Sequence, residues 1–201
     1  YLTEDRDDSL FYRFIPKTKG KLAEGGVLQA MQILGVADSR NWDGAKIAQG
    51  QWLSTRWIDL DDVEATNGDD LRIRGAAKGA TLFARGEGIV QGTDPLGSPE
   101  FFFTCTSGGV GKHGQIFRYV PTIARDTIGE AYPGGPIMLS GLPDANLQLF
   151  FESPERSVYS FGDNLTVAPN GDLMVCEDGY ENIVANYLRG VTPEGKAYAF
   201  G

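Results

Sequence analysis

The sequence predicts an all-β fold and, within that class, a partial β-propeller of two to three blades. The first observation is a repeated hairpin, in which a short β-type run that delivers polar groups is followed by a second strand-like run. The composition agrees, because 27 glycines and an aromatic content of 11% favour short strands joined by tight turns. The repeated pairs of runs are 2–5 with 10–16, 103–106 with 115–121 and, more loosely, 175–178 with 184–190.

A second observation is the match between the segments that precede two of these hairpins. Residues 85–90 align with residues 162–167, which places Glu87 opposite Asn164. Self-similarity at about 40 to 50 residues, with four strands per unit, is typical of propellers, whose innermost strands face a common channel. The spacing of this pair exceeds one period, so we expect an insertion in the middle blade at 126–146. Two ordinary hairpins that are alike by chance are the alternative.

The elements follow in order along the chain. Residues 1–16 predict a hairpin with its turn at 6–9, and residues 27–34 and 52–60 predict two further strands. An acidic loop then leads into a short helix at 70–78.

The second half of the chain continues with strands and tight turns. Residues 100–106 are strongly β in character and lead into the glycine-rich loop 107–114. Residues 147–153 resemble the closing strand of the preceding blade. Asn170 and Gly171 predict a tight hairpin turn, and residues 193–195 predict another.

The length of 201 residues allows one domain with a sizeable core or a piece of something larger. The chain starts at Tyr1, within a strand pattern, and propellers typically have about four to eight blades. We therefore expect residues 1–201 to be a single partial propeller domain from a longer chain. Such a piece exposes unpaired strand edges, which favours either a homo-oligomer or pairing with the missing blades.

Charge and motifs exclude several classes of function. A net charge of −9 argues against nucleic acid or an anionic membrane surface as a partner. No run of about 18 apolar residues is present, which predicts no membrane span. A strand follows the loop 107–114, whereas a phosphate-binding Walker loop opens a helix. His113 is the single histidine, and the sequence has no Gly-x-Ser-x-Gly elbow, which argues against a serine hydrolase.

Two cysteines, Cys105 and Cys176, occupy similar positions in their repeats, to within one residue. They could form a disulfide, although two small buried residues is the favoured interpretation.

The acidic residues supply the chemistry. Carboxylate and amide oxygens suit hard cations such as calcium, magnesium or ferric iron, whereas zinc favours His and Cys. Arg85 lies two residues before Glu87, so on a regular strand both would point to one face, where the guanidinium could bind an oxyanion. An N-cap, a turn acid or an ion pair is the alternative for each acid. The set that the repeat directs to one axis is Glu4, Glu87, Asp163, Asn164 and Glu177.

Several short motifs together resemble the PhoX-type alkaline phosphatases. They occur in order across nearly the whole chain and match the C-terminal part of that family. The family's iron-binding cysteine lies upstream of the matched region, so neither cysteine of this chain is assigned that role. The motifs are residues 3–6, 84–88, 103–109 followed by 114–119, 163–165 and 176–179.

The resemblance implies a six-bladed propeller with a central cluster of iron and calcium that hydrolyses phosphomonoesters, in a periplasmic or secreted protein. Carried over by position, it makes Glu4, Glu87 and Glu177 metal ligands, Arg85 the catalytic phosphate clamp and Asn186 a second phosphate contact. Two alternatives stay open at this point. One is a calcium-dependent propeller lactone hydrolase, and the other is a non-catalytic, self-associating propeller piece.

Overall fold

The computed structural model describes residues 1–64, 70–121, 145–180 and 185–200. These residues form eleven β-strands, one α-helix, α1 (Asp70–Ala77), and a 3-10 turn at Leu22–Glu24. The strands are β1 (Tyr12–Pro16), β2 (Gly26–Ile33), β3 (Trp52–Asp59), β4 (Gly86–Thr93), β5 (Pro99–Cys105), β6 (Gln115–Pro121), β7 (Ala145–Glu152), β8 (Gly162–Val167), β9 (Leu173–Glu177), β10 (Leu188–Val191) and β11 (Ala197–Ala199).

The strands build three antiparallel meanders, which confirms the prediction of an all-β partial propeller. Strands β8 to β11 form a four-stranded sheet, and β4 to β7 follow the same order. The first meander comprises β1 to β3, and a bridge from Leu2 to Tyr12 adds an inner segment to it. Strand β3 also pairs with β7, a pairing that the sequence pattern does not predict. This pairing joins the first two meanders into one curled seven-stranded sheet.

The central meander is buried on both of its faces. Because successive side chains on a strand point to opposite sides, Phe103 and Phe117 enter the core shared with the first meander. Their neighbours Phe102 and Ile116 enter the core shared with the third meander. The continuous run of phenylalanines in β5 therefore reflects burial on two faces, as in stacked blades.

The inner ends of the three meanders lie against one another. A Cβ built on Gly86 would lie 3.3 Å from Cβ of Thr3, so the first and second meanders meet there. The Thr104 hydroxyl of β5 donates a hydrogen bond of 2.7 Å to the carbonyl of Asp163 in β8, which ties the second meander to the third. Gly88 lies at this second junction, where its missing side chain allows the strands to approach.

The predicted turns and most strand positions are confirmed. The amide of Ser9 donates to the carbonyl of Arg6, closing the turn at 6–9, and Gly171 has a φ of 89° in the turn between β8 and β9. The helix at 70–78, the turn at 193–195 and the hairpin loop 107–114 are also observed, and β7 closes the second meander as expected. The expected insertion at 126–146 lies almost entirely outside the described residues.

The cysteine prediction requires a correction. Both cysteines are free, so the disulfide alternative is wrong. Cys105 is buried as expected, but Cys176 is exposed. Separately, no helix in the described part of the chain has the length and apolarity needed to cross a membrane.

Candidate functional site

Arg85 stands at the inner end of the second meander, immediately before β4. Its φ of 57° lies in the left-handed region, which is uncommon for a residue other than glycine. Two main-chain hydrogen bonds fix this conformation: the amide of Arg85 donates to the carbonyl of Arg6 at 2.9 Å, and the amide of Thr106 donates to the carbonyl of Arg85 at 3.0 Å. The backbone therefore holds Arg85 firmly while its side chain reaches solvent.

The guanidinium of Arg85 is paired with two carboxylates. Its Nε donates to Oδ1 of Asp5 at 2.7 Å and its Nη2 to Oδ2 at 3.1 Å, while Nη2 lies 3.5 Å from Oε1 of Glu87. The hydrogen bonds with Asp5 are the main cause of a raised pKa of Arg85, so it is a permanent cation. The two-residue spacing predicts that Arg85 and Glu87 share a face of a regular strand. The structure brings them together through a left-handed residue instead.

Glu87 meets a second acid that comes from the other sheet. Its side chain is 22% exposed, and its carboxyl hydrogen-bonds with that of Asp163 in β8. Burial, followed by the contact with Asp163 and the charge of Asp5, raises the pKa of Glu87 to about 7, while Arg85 opposes the shift. We call Asp5, Arg85, Glu87 and Asp163 the Arg85 cluster.

A shared irregularity explains why Asp163 is the partner of Glu87. The register of β4 shifts between Gly86 and Ile89, and the register of β8 shifts between Gly162 and Leu165. Because the two bulges occur at the same place, Gly86 of β4 corresponds to Gly162 of β8. Glu87 is therefore equivalent to Asp163. The sequence alignment, which paired Glu87 with Asn164, was wrong by one residue. Asn164 is exposed.

The main chain of the predicted ligand Glu4 lies against Gly86, but its carboxylate is engaged elsewhere. Its Oε2 accepts hydrogen bonds from the amide of Leu10 at 3.2 Å and from the hydroxyl of Tyr12 at 2.7 Å. This direction places Glu4 on a pocket of about 190 Å³, whose other lining residues are Leu2, Tyr12, Leu28 and Leu71. The structure does not bring its carboxylate into the Arg85 cluster, and its role as a ligand stays a prediction.

The predicted ligand Glu177 is engaged in a buried ion pair. Its Oε1 accepts from the Nε of Arg189 at 2.8 Å and from the amide of Ser160 at 2.9 Å, and its Oε2 accepts from the amide of Tyr187 at 3.0 Å. The side chain is 2% exposed. Glu177 pairs with Gly162 as Cys105 pairs with Gly86, so Glu177 and Cys105 hold equivalent positions in their meanders. Both residues are buried, which indicates that side chains at this position point into the space between blades. Its role as a ligand also stays a prediction.

The predicted phosphate contact Asn186 is exposed and folds back on its own loop. The amide of Gly179 donates to its Oδ1 at 2.8 Å, and its Nδ2 donates to the carbonyl of Gly179 at 3.3 Å. Tyr180, one residue beyond Gly179, lies within the electrostatic reach of the Arg85 cluster. Asp178 is the main cause of a raised pKa of Tyr180, and Glu87 adds to the shift.

A pocket of about 430 Å³ opens beside Arg85. It combines acidic and basic side chains, including an ion pair between Arg72 and Asp8 with Nε and Oδ1 2.7 Å apart. An anion could reach the guanidinium of Arg85 from this side. The lining residues are Asp5, Arg6, Asp7, Asp8, Arg72 and Arg85.

The Arg85 cluster has a donor set that fits a hard cation. In the described ranges no group of three or more His, Cys, Asp or Glu side chains gathers as a metal site, but Glu87 and Asp163 place two carboxyls in contact. Two like groups this close oppose ionisation of both, which a calcium or iron ion would relieve. The repeat directs Asp163 to the shared axis but gives it no specific role. The position of Asp5 directly after Glu4 is the signal in the sequence that could have identified it.

Comparisons with known proteins identify the family and support the fold. A structure of Pseudomonas fluorescens PhoX in complex with vanadate, described as a transition state analogue, matches with a TM-score of 0.60 at 19% sequence identity. The match covers 100% of this chain and 41% of that one, so the chain spans less than half of the relative's length. Comparison with curated proteins found no significant match. The family model described as alkaline phosphatase PhoX matches residues 1–201. The chain therefore belongs to the PhoX alkaline phosphatase family.

Proposed function

We propose that this chain is part of a metal-dependent phosphomonoester hydrolase and carries its phosphate-binding arginine. Membership of the PhoX family supports phosphatase chemistry. The observation that carries the proposal is the meeting of a cation, Arg85, with the carboxyls of Glu87 and Asp163 where the blades converge. This combination suits the hydrolysis of a phosphate monoester, because the phosphate oxygens can pair with a guanidinium and metal ions held by carboxylates can neutralise their charge.

Arg85 would bind the non-bridging oxygens of the phosphoryl group. A guanidinium has five N–H donors, and Asp5 accepts from two of them. Both hydrogens of Nη1 stay available to phosphate oxygens, whereas Nη2 is also in ion-pair contact with Glu87 at 3.5 Å. Fixed donors of this kind stabilise the charge that develops in the transition state. We propose the exposed amide of Asn186 as a second contact with phosphate.

Glu87 and Asp163 would hold calcium or iron. Bound there, the ion would supply Lewis-acid stabilisation and a more acidic water. The chain's own carboxyls would lose their shared proton on binding and orient toward the ion. Glu4 and Glu177 remain predicted ligands, and each would first have to exchange the hydrogen bonds described above.

The test is phosphate release from an aryl phosphate by the full-length protein. We expect calcium-dependent activity that a chelator abolishes, and a loss of about 10²-fold or more for Arg85→Ala, the magnitude for one oxyanion donor. Arg74→Ala is the matched control, because Arg74 pairs with Asp70 on α1 and should keep the rate. Activity that is indifferent to chelation contradicts the proposal. Turnover of lactones instead of phosphate esters would support the lactone hydrolase.

The remaining parts of the proposal concern the whole protein. We propose a periplasmic or secreted location, to be tested by cell fractionation. We propose that residues 1–201 form one partial propeller domain, completed by further blades or by a second copy. Light scattering on the full-length protein separates these two, because only completion by a second copy makes the full-length protein a dimer.

A further inference from the structure

Asp5 accepts hydrogen bonds from two different nitrogens of Arg85, Nε at 2.7 Å and Nη2 at 3.1 Å. This side-by-side pairing fixes the plane of the guanidinium as well as its position. The same Nη2 lies 3.5 Å from Glu87. Resting on the proposed function, we propose that Asp5 is a positioning residue, which directs the remaining N–H groups of Arg85 at the phosphoryl oxygens of the substrate.

The frame that carries the pair is built for precision. The left-handed backbone of Arg85 is held by the carbonyl of Arg6, the residue that directly follows Asp5. The amide of Ser9 donates to the carbonyl of Phe83 at 3.1 Å, and the amide of Phe83 donates to the carbonyl of Ser9 at 2.8 Å. These two hydrogen bonds join the turn at 6–9 to the segment that leads into β4. A strained residue persists only where its surroundings fix it in this way. Asp5 and Arg85 therefore approach each other from two segments that cannot drift apart.

The pair contributes little to folding, which makes a positioning role testable. The side chains of Asp5 and Arg85 are 50% and 25% exposed, and ion pairs at such positions add little stability. Asp5 should affect the site in two opposite ways. It aligns Arg85, which favours the transition state, but its negative charge repels a bound phosphate. Removing only the charge should therefore slow the reaction while tightening phosphate binding.

The experiment uses the metal-loaded, full-length protein and the isosteric change Asp5→Asn. We expect kcat to fall by about tenfold, because a misplaced catalytic group is costly. The inhibition constant of inorganic phosphate should fall by about three- to tenfold, from one charge removed at short range. Asp43→Asn is the matched control. It removes the same charge from an exposed side chain that pairs with Lys46 at 3.4 Å, outside the lining of the pocket beside Arg85. It should change either constant by less than about twofold.

A double variant identifies the route of the effect. If Asp5 acts through Arg85, adding Asp5→Asn to Arg85→Ala causes no further loss of kcat. A further tenfold loss in that background overturns the inference, as do equal effects of Asp5→Asn and Asp43→Asn. If the wild type hydrolyses phosphate esters and Asp5→Asn behaves like it, this inference alone fails. If the wild type neither hydrolyses them nor binds phosphate, the proposed function fails and this inference with it.

Discussion

Gly88→Ala tests whether the two sheets meet as closely as the site requires. A Cβ at Gly88 would lie 2.4 Å from the carbonyl oxygen of Asp163, 2.8 Å from Cα of Asn164 and 2.9 Å from Cδ2 of Leu165. Two of these atoms are backbone and cannot rotate away. Ordinary contact begins at 3.4 Å, so β4 and β8 must separate by about 1 Å to admit one methyl group.

The expected cost follows from this separation. Overpacking a close contact destabilises by about 1–3 kcal/mol, and for a domain of this size each kcal/mol lowers Tm by about 2–4 °C. For a cost in the middle of that range, about 2 kcal/mol, we expect Tm to fall by about 4–8 °C, measured by circular dichroism during heating. The phosphatase rate should fall too, because Glu87 and Asp163 move apart with the strands.

Gly92→Ala is the matched control for this experiment. Gly92 lies on the same strand, and a Cβ there would meet side-chain atoms of Phe102 and Glu100 at 3.2–3.4 Å, which can shift by a few tenths of an ångström. Its Tm should fall by less than about 2 °C. If Gly88→Ala and Gly92→Ala lower Tm by the same amount, the close approach of the two sheets at Gly88 is refuted.

Three further outcomes follow from the structure. Without metal, the free energy of unfolding should fall by about 1–3 kcal/mol as the pH rises from 4 to 8. The reason is that the pKa of Glu87 in the folded state, about 7, lies above its value in the unfolded state, so raising the pH removes a proton that the folded state binds more tightly. Glu87→Gln should flatten this pH dependence, measured by urea titrations at several pH values. Glu177→Gln should cost about 3–5 kcal/mol in the same assay, since it leaves the guanidinium of Arg189 buried without its counter-charge, and Glu177→Gln combined with Arg189→Met should recover part of the loss. A maleimide should label Cys176 in the native protein but Cys105 only after unfolding, and equal labelling rates would contradict the described burial.

Local signals predicted most of the fold. The turn at Asn170 and Gly171 and the alternating apolar runs around it depend on neighbours in the sequence, so they can be read from it. The pairing of β3 with β7 cannot be read from the sequence. Each strand is the last of its meander and has an open edge, and its residues do not specify which other strand it pairs with. Register and edge choice depend on the packing of distant segments.

The site was predicted in outline but not in detail. The repeat correctly indicated that Glu87 and the 163–164 segment converge, because it follows the order of strands in each blade. It did not reveal the bulges, and a one-residue shift turns every side chain to the other face, so Glu87 was aligned with Asn164 although its structural equivalent is Asp163. Repeat position also does not determine where a long side chain points. The donors of Tyr12 and Arg189, which attract Glu4 and Glu177, come from neighbouring strands.

The division of the chain into two hydrogen-bonded sheets has a kinetic consequence. Glu87 belongs to the seven-stranded sheet and Asp163 to the four-stranded one. An ion bound by both carboxylates would therefore link the two sheets across their interface. Transient separation of the two sheets would release that ion without unfolding either sheet. The residence time of the metal would then measure how often the interface between the two sheets opens.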